Sequence, residues 1–259
     1  FADAFGGATA ILTNSSATAA AVTGDINFDG GGAFTVNGTG DITLSRVRRA
    51  NGSSGDSIIT KEGANILILA GTADNSAAAV VVNNGVVQLN KGGSGVRALG
   101  GNSTIGATGT LRLTTGQANG DQIFSAVNVT NNGTFDLQGQ DESFNNMTGT
   151  GLVTNGATND ASVLTLGENN TSFTWGGVIQ NGAGTSTLAL TKIGTATMTM
   201  GTSSICCAGS GLGWYCMPAA LSQRLKWVKN GVPCSCLPRL VTFTCSGCSK
   251  SNAKCAAEG

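Results

Sequence analysis

Eight cysteines crowd into the C-terminal stretch of a 259-residue chain: Cys206, Cys207, Cys216, Cys234, Cys236, Cys245, Cys248 and Cys255. Thiols in that density either close into disulfides or offer thiolates to zinc or an iron–sulfur cluster. Cys234-Ser235-Cys236 and Cys245-Ser246-Gly247-Cys248 have spacings that suit a metal. Cys245 and Cys248 also have the spacing of a redox pair, but no βαβ pattern adjoins them. An even number in so short a stretch favours disulfides and an oxidising compartment, with the pairing left open. Cys206 and Cys207 are adjacent and must point to different partners.

Other chemistry is sparse. The chain has no histidine, which excludes Ser-His-Asp and Cys-His catalytic pairs and histidine-held zinc or haem. Asp141-Glu142 is the one adjacent pair of acids in the body, and no matched acid and base emerges from the scattered carboxylates. Asp29 before Gly30-Gly31-Gly32 lacks the repeat that would make it a calcium loop. The expectation is a protein that is not an enzyme, with no catalytic residue, metal or cofactor. Arg46, Arg48 and Arg49 form a small basic cluster that could meet an acidic patch on a neighbouring subunit. Formal net charge is zero, which argues against nucleic acid as a partner. Apolar runs such as Ala77 to Val82 are far below the roughly 18 residues that a membrane span needs, so no membrane insertion is expected.

That zero is a sum of opposites. Residues 1–205 carry 8 basic and 13 acidic side chains, whereas residues 206–259 carry 6 basic and 1 acidic. All cysteines, all three prolines and the single tyrosine fall after the same boundary. Composition therefore divides the chain into an N-terminal extension or strand (1–23), a body (24–205) and a cysteine-rich C-terminal module (206–259). Within the module, Pro218 to Asn230 reads as a short amphipathic helix, with Leu221, Leu225 and Val228 on one face.

The body alternates with period two. Ala33-Phe34-Thr35-Val36, Asp41-Ile42-Thr43-Leu44, Thr110-Leu111-Arg112-Leu113, Thr134-Phe135-Asp136-Leu137 and Thr195 to Met200 each put one set of side chains on one strand face. Turn formers bound every segment. Gly63, Gly85, Gly109 and Gly133 each introduce a strand, and the interval from one to the next is nearly constant. A short repeat built only of strands and turns predicts an all-β solenoid. Its coils would be filled by Val, Ile, Leu, Ala and Thr. A β-sandwich is the rival arrangement, but one of this size spends more aromatics on its core.

Trp175-Gly176-Gly177-Val178-Ile179-Gln180-Asn181-Gly182, followed by Leu188 through Met200, resembles the autotransporter-associated β-strand repeat. Ile59-Thr60-Lys61-Glu62-Gly63 through Leu69 resembles a second copy. Asn84 to Asn90 and Ala98-Leu99-Gly100-Gly101 resemble the strand and turn that follow. The resemblance implies a right-handed parallel β-helix at a bacterial surface or in the extracellular medium, where members of the family act as adhesins, spacers or matrix components. No membrane-embedded barrel is recognisable in the cysteine-rich stretch, which departs from a complete autotransporter. A chain beginning at Phe1, without methionine, is expected to have lost a signal peptide.

A solenoid ends in unpaired backbone groups that either are capped or pair with another copy. Phe1 and Phe5 lie in a small, apolar N-terminal segment suited to lodging in a neighbour. The expected function is therefore a secreted structural subunit that polymerises with itself, head to tail, into an extracellular filament. The alternatives are an adhesin that binds a glycan or host surface along its flank and, third, a polysaccharide-active enzyme.

Overall fold

A computed structural model describes residues 10–28, 32–49, 56–75, 78–114, 121–201, 205–206, 226–229 and 232–235. The strands in the first half are β1 (Ala10–Asn14), β2 (Ala20–Phe28), β3 (Ala33–Gly38), β4 (Ile42–Arg49), β5 (Ser57–Lys61), β6 (Ile66–Gly71), β7 (Ala78–Lys91) and β8 (Ser103–Leu113). The second half has β9 (Asn128–Asn131), β10 (Thr134–Asp136), β11 (Glu142–Phe144), β12 (Asn146–Thr148), β13 (Leu152–Thr154), β14 (Ala161–Leu166), β15 (Phe173–Trp175), β16 (Val178–Gln180), β17 (Thr187–Lys192) and β18 (Met198–Met200). Three short strands follow: β19 (Ile205–Cys206), β20 (Lys226–Lys229) and β21 (Val232–Ser235). No helix occurs among the described residues.

Pairing along the body is parallel throughout, as a solenoid requires and a sandwich does not. On the first face, Phe34 pairs with Ile59, Ile59 with Val80, Val81 with Thr104, Thr104 with Thr130 and Thr130 with Thr148. A bridge from Gly149 to Trp175 and the pair Trp175–Met200 complete seven turns. The turns are unequal in length. The step from Thr130 to Thr148 is the shortest, and those from Thr104 to Thr130 and from Gly149 to Trp175 are the longest. β1 adds one rung before them. The second face runs β2, β4, β6, β7, β8, β10, β13, β16 and β19, and β11, β14 and β17 build a third sheet in the C-terminal half. β7 and β8 serve both faces because each runs straight through the corner.

Alternation assigns the core. Phe34, Val36, Ile59, Val80, Val82 and Ile105 point inward from the first face, and Leu44, Leu67, Leu69, Leu89 and Leu111 from the second. Large side chains gather in the C-terminal half, where Trp175 is fully buried and Phe135 meets Phe144 edge to face with centroids 5.9 Å apart.

The corner between the first two faces explains the repeated glycine. A Cβ on Gly63 would strike the Gly38 carbonyl, one on Gly85 the Gly63 carbonyl, and one on Gly151 the Gly133 carbonyl. Gly177 stands in the same relation to the Gly151 carbonyl. Coils approach here to backbone contact, so a residue with no side chain is needed at each level.

The structure bears on two expectations. β1 and the start of β2 lie inside the 1–23 segment and form the solenoid's first rung. The helix expected over Pro218–Asn230 is corrected in its described part, since Lys226–Lys229 is β20, antiparallel to β21. Asn230-Gly231 lies between the paired ends Lys229 and Val232. That dipeptide is a strong two-residue hairpin signal, and it outweighs an apolar spacing too short to sustain a helix in isolation.

Candidate functional site

The described residues hold no cluster of three or more metal-ligating side chains. The Asp141-Glu142 pair is split by strand alternation. Asp141 is exposed and accepts a hydrogen bond from Val163 N at 2.8 Å, whereas Glu142 points into the core and is 1 % exposed. Its carboxyl accepts from the backbone N–H groups of Gln122 (2.8 Å), Ile123 (3.2 Å) and Ser143 (3.2 Å). Burial raises its pKa well above the ordinary carboxyl value and outweighs the three donors, which act in the opposite direction.

Three lysines also face inward. Lys91 Nζ donates to Ser45 O (2.6 Å) and Ala73 O (2.8 Å) on earlier coils. Lys61 Nζ donates to Gly63 O and to Asn84 O (3.4 Å). Lys192 Nζ donates to Ile193 O. Burial lowers the pKa of Lys61 and of Lys91 to about 8, against the weaker pull of nearby acids, and lowers that of Lys192 too. Gln122 joins these levels, because its side-chain amide exchanges hydrogen bonds with the backbone N–H and C=O of Lys91. Lys61, Lys91 and Glu142 thus staple coils through backbone groups, whereas Lys192 bonds within its own turn.

These lysines give a pH dependence whose sign is fixed. Between about 8 and 10.5 the folded chain binds fewer protons at Lys61 and Lys91 than the unfolded chain does. Stability therefore rises as pH climbs through that window, and the burial penalty is fully felt below it. Thermal midpoints measured from pH 7.5 to 10.5 should show the rise, and a Lys61→Met, Lys91→Met double variant should show a flatter profile.

Of the expected subunit-contact residues, Phe1 and Phe5 lie outside the described residues. Arg46 and Arg48 both pair with Asp25, at 3.3 and 3.4 Å. Arg49 ends β4, and its side chain is not among those described. Cys206 lies in β19, where its backbone pairs with Gln180, and Cys234 in β21, opposite Trp227. Their side chains, and Cys207, Cys216, Cys236, Cys245, Cys248 and Cys255 entirely, lie outside the described residues.

Two surfaces remain as candidates. The first is the N-terminal rung. β1 pairs only with β3 and β2 only with β4 among the described residues, so each has an edge without a described partner. Inward-facing Leu12, Val22 and Ile26 are only partly buried, whereas their partners one level on, Val36, Leu44 and Val47, are fully buried.

The second is the outer side of the first face. Thr35 pairs with Thr60, Thr60 with Val81, Val81 with Thr104, Thr104 with Thr130 and Thr130 with Thr148. The next levels place Thr174 and Thr199 in line, and Ile11 precedes Thr35. Every member of this column is β-branched, and none is charged. Thr130 and Thr148 hydroxyls lie 3.4 Å apart. The column was missed in the sequence because unequal coils hide it, whereas the inward Lys61, Lys91 and Glu142 carried a visible signal. Each shares the parity of a buried neighbour, namely Ile59, Leu89 and Phe144.

The chain matches no protein-family model, no curated protein and no solved structure.

Proposed function

We propose that this protein is a structural subunit that assembles with itself, end to end, into an extracellular or cell-surface filament. The observation that carries the reading is the N-terminal rung, whose strand edges have no partner among the described residues and whose core residues Leu12, Val22 and Ile26 are only partly buried. A further coil from another copy would continue the parallel ladder and cover that apolar surface. Contacts of this heterologous kind propagate without closing. An acidic body and a basic tail favour the head-to-tail orientation. In this reading the solenoid is right-handed, the usual hand of parallel crossovers. The cysteine-rich module forms disulfides that secure each junction, and the chain works after secretion. In this reading the role is mechanical, and Glu142, buried against backbone donors, serves the fold.

Negative-stain imaging and light scattering of undenatured material should show filaments. Leu12→Lys would place a charge on the stacking surface, and dispersed monomers of 25.7 kDa should result while circular dichroism keeps its β signature. Wild-type material that stays monomeric at every concentration, with and without reductant, would count against the proposal.

A further inference from the structure

We infer that the threonine column on the first face is an ice-binding surface, a site independent of the filament contact. Its members recur once per coil at the strand spacing of about 4.8 Å, so eight steps span roughly 38 Å. That repeat lies near the oxygen spacing in hexagonal ice. A threonine offers a hydroxyl that both donates and accepts, and a methyl that orders water beside it. β-branching holds χ1 in few rotamers, so these groups are largely fixed before any ligand arrives, although the Thr130 and Thr148 hydroxyls lean together to 3.4 Å. Little conformational entropy is then lost when the ordered water merges with a crystal.

Strand propensity alone does not produce the column. The central outward column of the second face runs Thr43, Ile68, Gln88, Arg112, Asp136 and Thr154. It has the same period and the same requirement for strand formers, yet it mixes charge, amide and aliphatic groups, and the column beside it (Ile66, Val86, Thr110, Thr134, Leu152 and Val178) is uncharged but mainly aliphatic. Of these two faces, threonine is concentrated on the first.

The occupant follows from what the face contains and omits. Phe34, Phe135, Phe144, Phe173 and Trp175 are all buried, and the exposed Phe124 precedes β9 and is not part of this face, so no described aromatic on it offers a ring for a sugar to stack on. No basic side chain among the described residues of the column is available for a phosphate or sulfate. The one flanking carboxylate, Glu62, accepts from Asn83 Nδ2 at 2.6 Å. The remaining flank is mostly amide, hydroxyl and methyl, including Asn37, Asn132 and Thr150. A neutral array of fixed hydroxyls and methyls suits a lattice of water.

The test is thermal hysteresis and ice recrystallisation by the purified full chain. Wild type should shape ice crystals and hold a gap between melting and freezing. Thr104→Lys with Thr130→Lys should bring the gap to the buffer baseline, while Gln88→Lys on the second face should retain it. Thr104→Ser with Thr130→Ser keeps both hydroxyls but loses methyls and stiffness, and should also lose most of the gap. Circular dichroism of each variant checks that the β signature is kept. The monomeric Leu12→Lys variant should remain active, which separates this site from filament assembly. The inference is overturned by an inactive wild type, by equal loss from both faces, or by retention on microcrystalline cellulose without any effect on ice.

Discussion

Gly133→Ala should be among the most damaging single-methyl changes this protein can suffer. A Cβ at Gly133 would fall inside contact distance of the Gly106 and Gly109 carbonyl oxygens and sit 3.0 Å from Ile105 Cγ2. The two oxygens belong to the backbone of the preceding coil and cannot rotate away. Relief requires the coils to separate locally, at a corner where Leu152 N donates to Gly133 O at 2.7 Å and Gly133 N donates to Asn131 Oδ1 at 3.1 Å. Overpacking a well-filled interior costs about 1–3 kcal/mol and more where backbone must move; here the upper end, about 3 kcal/mol, is expected. Coils in a solenoid contact mainly their neighbours, so the damage should first appear as local opening. Chemical denaturation combined with hydrogen exchange would measure it. A loss below about 1 kcal/mol would show that the glycine column is not a packing requirement.

The second large effect is expected at Glu142. Glu142→Ala leaves Gln122 N and Ile123 N without their acceptor in a buried site. Each orphaned donor costs about 1–3 kcal/mol, so a total near 4 kcal/mol is expected. Glu142→Gln retains the shape and one acceptor oxygen, and should lose less. The two variants also differ from wild type in pH response. A carboxyl whose pKa is raised by folding binds more protons folded than unfolded once pH exceeds the unfolded value of about 4.3. Its contribution is therefore largest at or below that value and is lost as pH rises toward the folded value. Denaturation midpoints across the acidic and neutral range should fall less steeply in Glu142→Gln than in wild type. Identical slopes would place the ionised carboxylate comfortably in the core, against the expected direction.

Much of the architecture was legible in particular residues. Phe34 and Val36, Leu111 and Leu113, and Met198 and Met200 alternate with polar partners, and all are buried. The interval from Gly63 to Gly85, Gly109 and Gly133 marked the coil, although the coil between Thr130 and Thr148 is much shorter than the one before it. The sites were far less legible. Asp141-Glu142 stood out only as an adjacent pair of acids, but one of them faces the core. Arg46 and Arg48 read as available for a neighbour, yet both meet Asp25 from β2, paired in register one level away. Neither outcome is local, since each depends on which coil lies beside the residue.

By itself, the sequence determined strand, turn and solenoid, because alternation and glycine placement act over a few residues and need no distant partner. Only the tertiary structure decided which side chains stand above one another. Coils of unequal length shift the register between levels, so the threonine column, the buried Lys91–Gln122–Glu142 staples and the glycine corner exist only once the coils are stacked.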